Sequence, residues 1–250
     1  MKRIELFGLA GMAEVHAGDN VGQLIFEACE RQQFELADGD LLVVAQKIVS
    51  KAEGQITALA TVTPTARAQQ LARELAKEPE LVEVILRESR KVIRTGGRAM
   101  IVETHHGFVC ANAGVDQSNV GLNQVALLPQ DGDRSARQIR AEIRRRVGKN
   151  VGIIISDSFG RAWRVGTVDV AVGVAGINPI KDERGLKDRH GYELKAAVAA
   201  VADELASAAE LVMGKRDAVP VVIVRGYDIQ FTEEGSVQKL LRPEAEDLFR

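Results

Sequence analysis

Three segments of this 250-residue chain bring together residue types that chemistry uses. In Gly114-Val115-Asp116-Gln117-Ser118-Asn119-Val120, an acid, a hydroxyl and an amide fall within four residues, directly after a strand-like run. Such a loop offers oxygen ligands to a hard divalent cation or polar groups to a nucleotide. The same residues also suit an Asx-turn that bonds only its own backbone. The second segment, Ser156-Asp157-Ser158-Phe159-Gly160-Arg161-Ala162-Trp163-Arg164, follows the most strand-like run of the chain. An acid at the end of a buried strand is held rigidly enough to ligate a metal. Arg161 and Arg164, on either side of the only tryptophan, can clamp phosphate or carboxylate oxygens bidentately. A helix cap followed by a surface loop fits the same letters. The third segment, Ala45-Gln46-Lys47-Ile48-Val49-Ser50-Lys51-Ala52-Glu53-Gly54, holds Lys47 and Lys51 to neutralise phosphate charge and Ser50 to donate to a phosphate oxygen. A solvated strand edge is its alternative.

Two aspartates at the ends of distant strands, Asp116 and Asp157, are what a magnesium–nucleotide site uses, with waters and phosphates as the remaining ligands. No glycine-rich Walker loop occurs, which argues against a P-loop enzyme. His105-His106 lacks partners at ligand spacing and reads as a surface turn. Asp169, inside an apolar strand pattern, reads as a buried, hydrogen-bonded carboxylate. The basic cluster Arg134, Arg137, Arg140, Arg144, Arg145, Arg146 and Lys149 reads as a solvated helix face or a subunit contact, with attraction of an anionic ligand as the alternative. Cys29 and Cys110 have no base beside them in the sequence, which disfavours covalent thiol catalysis.

Strand-like and helical runs must position these residues. Strands are expected at Ile4–Gly8, Leu41–Ala45, Ala99–Glu103, Phe108–Ala111, Val151–Ile155, Val168–Val174 and Pro220–Val224. Helices are expected at Val21–Glu30, from a Thr63-Pro64 start to Lys77, and then, after Glu78-Pro79, on to Val92. Further helices fit Ser135–Val147, capped by Asp133 or Ser135, and the Ala-rich Ala196–Met213, ended by Gly214. The last fifteen or so residues suggest a short terminal helix. This is a mixed α/β pattern without the steady strand–helix alternation of a doubly wound fold. Any internal boundary must lie in an ordinary loop, best between Gly114 and Arg134.

Composition narrows the class. The chain is 46% hydrophobic and 27% charged, as a packed globular chain is. Its net charge of −2 and pI near 6.2 lack the basic footprint of a nucleic-acid-coating protein. Two cysteines are too few for a disulfide framework. No apolar run suits a membrane helix, and the amino end lacks signal-peptide features, so a cytoplasmic protein is expected.

Taken as a set, Leu42–Gly54 (LVVAQKIVSKAEG), Ile101–Val120 (IVETHHGFVCANAGVDQSNV), Ile155–Gly166 (ISDSFGRAWRVG) and Leu211–Gly226 (LVMGKRDAVPVVIVRG) strongly resemble the coenzyme F-420-0:L-glutamate ligase family. The likeness covers essentially the whole chain, with the blocks in family order and spacing. It implies a GTP-dependent ligase that adds γ-linked glutamates to a deazaflavin coenzyme precursor through an acyl phosphate. It also implies a two-domain γ-glutamyl ligase fold with mixed and antiparallel sheets, neither P-loop nor Rossmann. Residues 1–250 would then form one ligase unit of two packed subdomains, meeting near 114–134, without a further C-terminal domain.

Carried over position by position, the resemblance makes Asp116 and Asp157 ligands of a divalent metal (Mg or Mn), and Ser158 a contributor to a second ion. Asp116 and Asp157, through the metal, with Arg161 and Arg164, are the expected catalytic groups. Nucleotide contacts are expected from Met12, Ala13, Glu14, Val15, Gln46, Lys47, Lys51, Asn119, Met213, Gly214 and Lys215. A monovalent potassium ion and a homodimer are implied as well, and neither nucleic acid nor membrane is an expected partner. Three stretches depart from the family pattern. Gly11-Met12-Ala13 replaces the usual Gly-Leu-Pro turn, Gln46-Lys47 replaces smaller hydroxyl residues seen in some relatives, and Lys215 stands where relatives can place an acid or amide. Two other functions share these residues: a related ligase acting on another carboxylate, and a non-catalytic coenzyme- or nucleotide-binding protein.

Overall fold

The computed structural model describes residues 1–249. The chain begins β1 (Glu5–Gly8), α1 (Val21–Arg31), β2 (Leu41–Ala45), α2 (Gln46–Ala52) and β3 (Ile56–Ala58). It continues α3 (Ala66–Leu75), α4 (Pro79–Arg87), β4 (Ser89–Gly96), β5 (Ala99–Thr104), β6 (Val109–Ala111) and β7 (Gln124–Ala126). It closes with α5 (Gly132–Val147), β8 (Gly152–Arg161), β9 (Arg164–Ala175), β10 (Lys181–Asp182), β11 (Val198–Ala199), α6 (Val201–Met213) and β12 (Val221–Arg225). Among the described residues no helix is long and apolar enough to cross a membrane.

The main sheet has the order β1-β12-β2-β8-β9. Only β2 and β8 run parallel, and the other pairs are antiparallel, so the sheet is mixed, as expected. Leu41, Leu42, Val43 and Val44 are all fully buried because both faces of β2 are covered, which is why that strand reads as one continuous apolar run. α5 packs on β8 and β9, with α1 behind it, while α6 packs on β9, β12 and β1. β9 is an edge strand, and side chains cap its free backbone groups. Asp203 of α6 accepts from the Ala171 N–H, Ser207 donates to the Asp169 carbonyl, and Asp133 of α5 accepts from the Val174 N–H.

Between α2 and α5 the chain builds a second, separate hydrophobic cluster. Ala68, Ala72, Val82, Ile85, Met100, Val102 and Val125 form its centre. The antiparallel pair β3–β7 carries the chain into and out of it, and the sheet β4-β5-β6 forms its other wall.

Several elements depart from the sequence-based expectation. The helix expected to reach Val92 stops at Arg87, and Ser89–Gly96 is β4, because β5 supplies a hydrogen-bonding partner that outweighs local helix preference. Strand Val151–Ile155 continues to Arg161, so Ser156–Arg164 is a β-hairpin rather than a cap and loop. Lys47 and Lys51 lie on α2, not on a strand edge. α5 is capped by Asp131, whose side chain accepts from the Arg134 N–H. Asp133 instead turns inward to Val174, Ser236 and Val237. The helix before Met213 starts at Val201, not Ala196. No terminal α-helix forms among the described residues. Pro243 interrupts the segment, leaving single turns at Val237–Leu240 and Glu244–Glu246.

Candidate functional site

Register brings the second and third segments together. Ala45 at the end of β2 pairs with Ser156 on parallel β8, so the first turn of α2 opens beside Asp157. Asp116 comes in from the loop after β6, and that loop is clamped to β7 by two backbone hydrogen bonds between Asp116 and Ala126. The Asx-turn foreseen for this loop is present, with Ser118 N–H donating to Asp116 Oδ1 at 2.7 Å. The other oxygen accepts from the Ser118 hydroxyl at 3.0 Å and from across the chain: Lys47 Nζ donates to Asp116 Oδ2 at 2.7 Å and to Ser118 Oγ at 2.6 Å.

The two aspartates differ sharply in proton affinity. Burial would raise Asp116, but hydrogen bonds from Lys47 and Ser118 outweigh it and hold the carboxyl below its ordinary range. Asp157 is pushed up to about 7, by burial first and then by the neighbouring carboxylates of Asp169 and Asp116, with only the Ser158 N–H and the Lys47 charge opposing. Desolvation and like charge both disfavour the ionised form. Cys110 lies close enough to feel Asp157, and burial together with that charge drives its thiol up to about 12. Cys29 is raised to about 11 by burial, so neither cysteine is a ready thiolate.

Strand alternation sends neighbouring side chains to opposite faces. Ser156 and Ser158 therefore share one face of β8, and both donate to Asp169 on β9, at 3.0 and 2.6 Å. Asp169 is only 5% exposed, the buried, hydrogen-bonded carboxylate that the apolar pattern suggested. On that face Lys215 donates to Ser158 Oγ, with its Nζ 3.8 Å from Asp169 Oδ1 and 3.6 Å from Glu210 Oε1. Asp157 lies on the other face, so Ser158 is not part of its set. Among the described residues no three His, Cys, Asp or Glu side chains converge tightly enough to enclose a metal. Asp116 and Asp157 nevertheless form a hard-oxygen pair short of positive charge, and that donor set fits Mg or Mn with waters and phosphate as further ligands.

Glu14 and Lys51 form an ion pair at 2.5 Å on the wall of a cleft of about 420 Å³. Val15, Asn119 and Gln124 line the same cleft. Lys51 is one helical turn from Lys47, and Asn119 is three residues from Asp116, so the cleft adjoins the aspartates. Four of the expected nucleotide contacts thus meet in one place.

Other expected contacts do not present side chains there. Gln46 is 2% exposed, and its amide oxygen lies 2.7 Å from the Ser50 hydroxyl. Ser50 also donates to the Leu127 carbonyl at 2.6 Å, so it holds the fold and is not free for phosphate. Met12 and Met213 pack on the main core, Ala13 is exposed, and Gly214 is the left-handed residue that ends α6. Arg161 and Arg164 pair across the end of the hairpin, both exposed, about 13 Å beyond Asp157 at roughly 3.3 Å per residue. Within one chain they do not clamp an anion at the aspartates, and Arg161 donates instead to the Val165 carbonyl. Trp163 beside them is exposed and stacks near Phe249. His105 and His106 hydrogen-bond the carbonyls of Arg87 and Pro129, as turn residues do. Gln124, Glu210 and the facing of Asp169 toward Ser158 were not foreseen. The serine–acid facing becomes visible only once β8 is extended past Ile155.

The model of the family described as F420-0:Gamma-glutamyl ligase matches residues 11–226. The Coenzyme F420:L-glutamate ligase of Methanothermobacter thermautotrophicus is 47% identical over 249 residues, 99% of each chain. That of Methanocaldococcus jannaschii is 46% identical over 219 residues, 87% of each chain. The Archaeoglobus fulgidus protein of the same name is 41% identical over 249 residues, 99% of this chain and 97% of its own. Likeness of this extent, running through β2, the Asp116 loop, β8 and the end of α6 alike, shows that the chain belongs to the F420-0:gamma-glutamyl ligase family.

Proposed function

We propose that this protein is a ligase of coenzyme F420 biosynthesis that uses GTP to join L-glutamate, in γ-linkage, to the F420-0 precursor. Family membership supports the ligase activity and the precursor as substrate. The observation that carries the nucleotide half of the reading is the cleft where Glu14, Lys51 and Asn119 meet, next to the Lys47–Asp116 pair. A pure anion binder gains nothing from aspartates there. A phosphoryl-transfer site needs both the cations and the hard oxygens.

A free carboxylate is a poor electrophile, so the reaction needs an activated form. An oxygen of the precursor carboxylate attacks the γ-phosphorus of GTP, the bond to the bridging oxygen breaks, and GDP leaves. The glutamate amine then attacks the acyl carbon, the carbon–oxygen bond to phosphate breaks, and inorganic phosphate departs as the nitrogen loses a proton. Lys47 and Lys51 lower the repulsion between carboxylate and triphosphate, and the cleft aligns the two for in-line attack. A divalent ion held by Asp116 and Asp157 would add neutralising charge at the phosphates.

The acyl phosphate has a direct signature. Precursor carrying heavy oxygen in its carboxylate is expected to deliver one labelled oxygen to the phosphate released, in step with amide formed. Unlabelled phosphate alongside normal amide product would rule out this route.

A further inference from the structure

The geometry points to Lys215 as a resident cation that takes the place of a second metal ion, leaving the protein with a single divalent ion, at Asp116 and Asp157. The inference rests on that proposed metal site. Three observations carry it. Ser158 Oγ donates to Asp169 Oδ1 at 2.6 Å and accepts from Lys215 Nζ, so the hydroxyl relays between an ammonium and a carboxylate. Lys215 Nζ also faces Asp169 and Glu210 at 3.8 and 3.6 Å. Lys215 follows directly on Gly214 at the end of α6, where unpaired helix carbonyls favour a positive charge.

A magnesium ion bonds oxygen at about 2.0–2.1 Å. An ion that close to Ser158 Oγ and Asp169 would collide with the ammonium, since both cations would use the same oxygens. A chain with a neutral or acidic residue at this position lacks the built-in charge and has room for another ion.

The test counts ions, not turnover. Free Mn(II) is measured by electron paramagnetic resonance in titrations of the full chain, with and without a non-hydrolysable GTP analogue. The wild type is expected to take up one Mn(II) per chain, Lys215→Gln two, and Lys215→Arg, which keeps the cation, one. Matching circular-dichroism melting curves establish that the variants are folded. Two ions on the wild type, or no gain in Lys215→Gln, would overturn the inference. Asp157→Asn separates this from the underlying site: the wild-type ion should be lost there, and its retention would refute the Asp116–Asp157 assignment while leaving the Lys215 comparison readable.

Discussion

Asp116 and Asp157 show how one residue type is set to two states by its neighbours. Asp116 sits under an ammonium and an N–H and stays ionised, whereas Asp157 is buried beside other carboxylates and holds its proton to about pH 7. Lys47 hydrogen-bonds Asp116 and reaches Asp157 only through its charge. Among the described residues Lys51, one turn further along, has only Glu14 as its ion-pair partner, and Glu14 is largely exposed. Such a pair adds little to stability, about 0–1 kcal/mol. Against a phosphate the same ammonium is worth more, about 1.5–3 kcal/mol for a charged hydrogen bond, or roughly ten- to a hundredfold in affinity. Lys51→Met is therefore expected to raise KM for GTP by about that factor while leaving the melting temperature close to wild type. Steady-state kinetics with GTP varied checks this, and an unchanged KM would remove Lys51 from the phosphates.

At the scale of elements, the second cluster depends on one buried acid. Glu83 of α4 accepts from the N–H and hydroxyl of Thr65, which caps α3, and from Arg87 one turn along. The Thr65 backbone, the Thr65 hydroxyl and Arg87 together outweigh burial and hold its carboxyl below the ordinary range. A depressed carboxyl contributes stability above the unfolded pKa, about 4.3, and loses it as pH falls through the folded value. Glu83→Ala should cost about 1–3 kcal/mol at neutral pH, with the gap to wild type closing in acid. Urea unfolding at several pH values measures this, and a gap constant with pH would contradict it. These helices were legible because their apolar spacing is local, but the cap of α3 is Thr65 and not the expected Thr63-Pro64 start. Val92 on β4 was not, since only pairing with β5 makes that segment a strand. Likewise Ser156–Arg161 carries turn-like residues, and it is the facing β9 that keeps it extended. Along the extended β8, alternation turns Ser158 toward Asp169 and away from Asp157.

For the whole molecule, the near-zero net charge is an average over unlike neighbourhoods. Lysines Lys47 and Lys51 on α2 and aspartates Asp116 and Asp157 come from three separate stretches, and they meet because β2 and β8 run parallel and β7 returns the second cluster's chain to α2. The residue types and their order were readable in the sequence. Their convergence was not, because it depends on register. The claim that this convergence is a ligase site is tested most directly by mass spectrometry of the F420-0 precursor, incubated with L-glutamate, GTP and magnesium, using wild type, Asp116→Asn and Asp157→Asn side by side. Wild type is expected to add glutamyl units to the precursor, and both variants, folded by circular dichroism, to add none. Failure of the wild type to add any, or full addition by either variant, would contradict it.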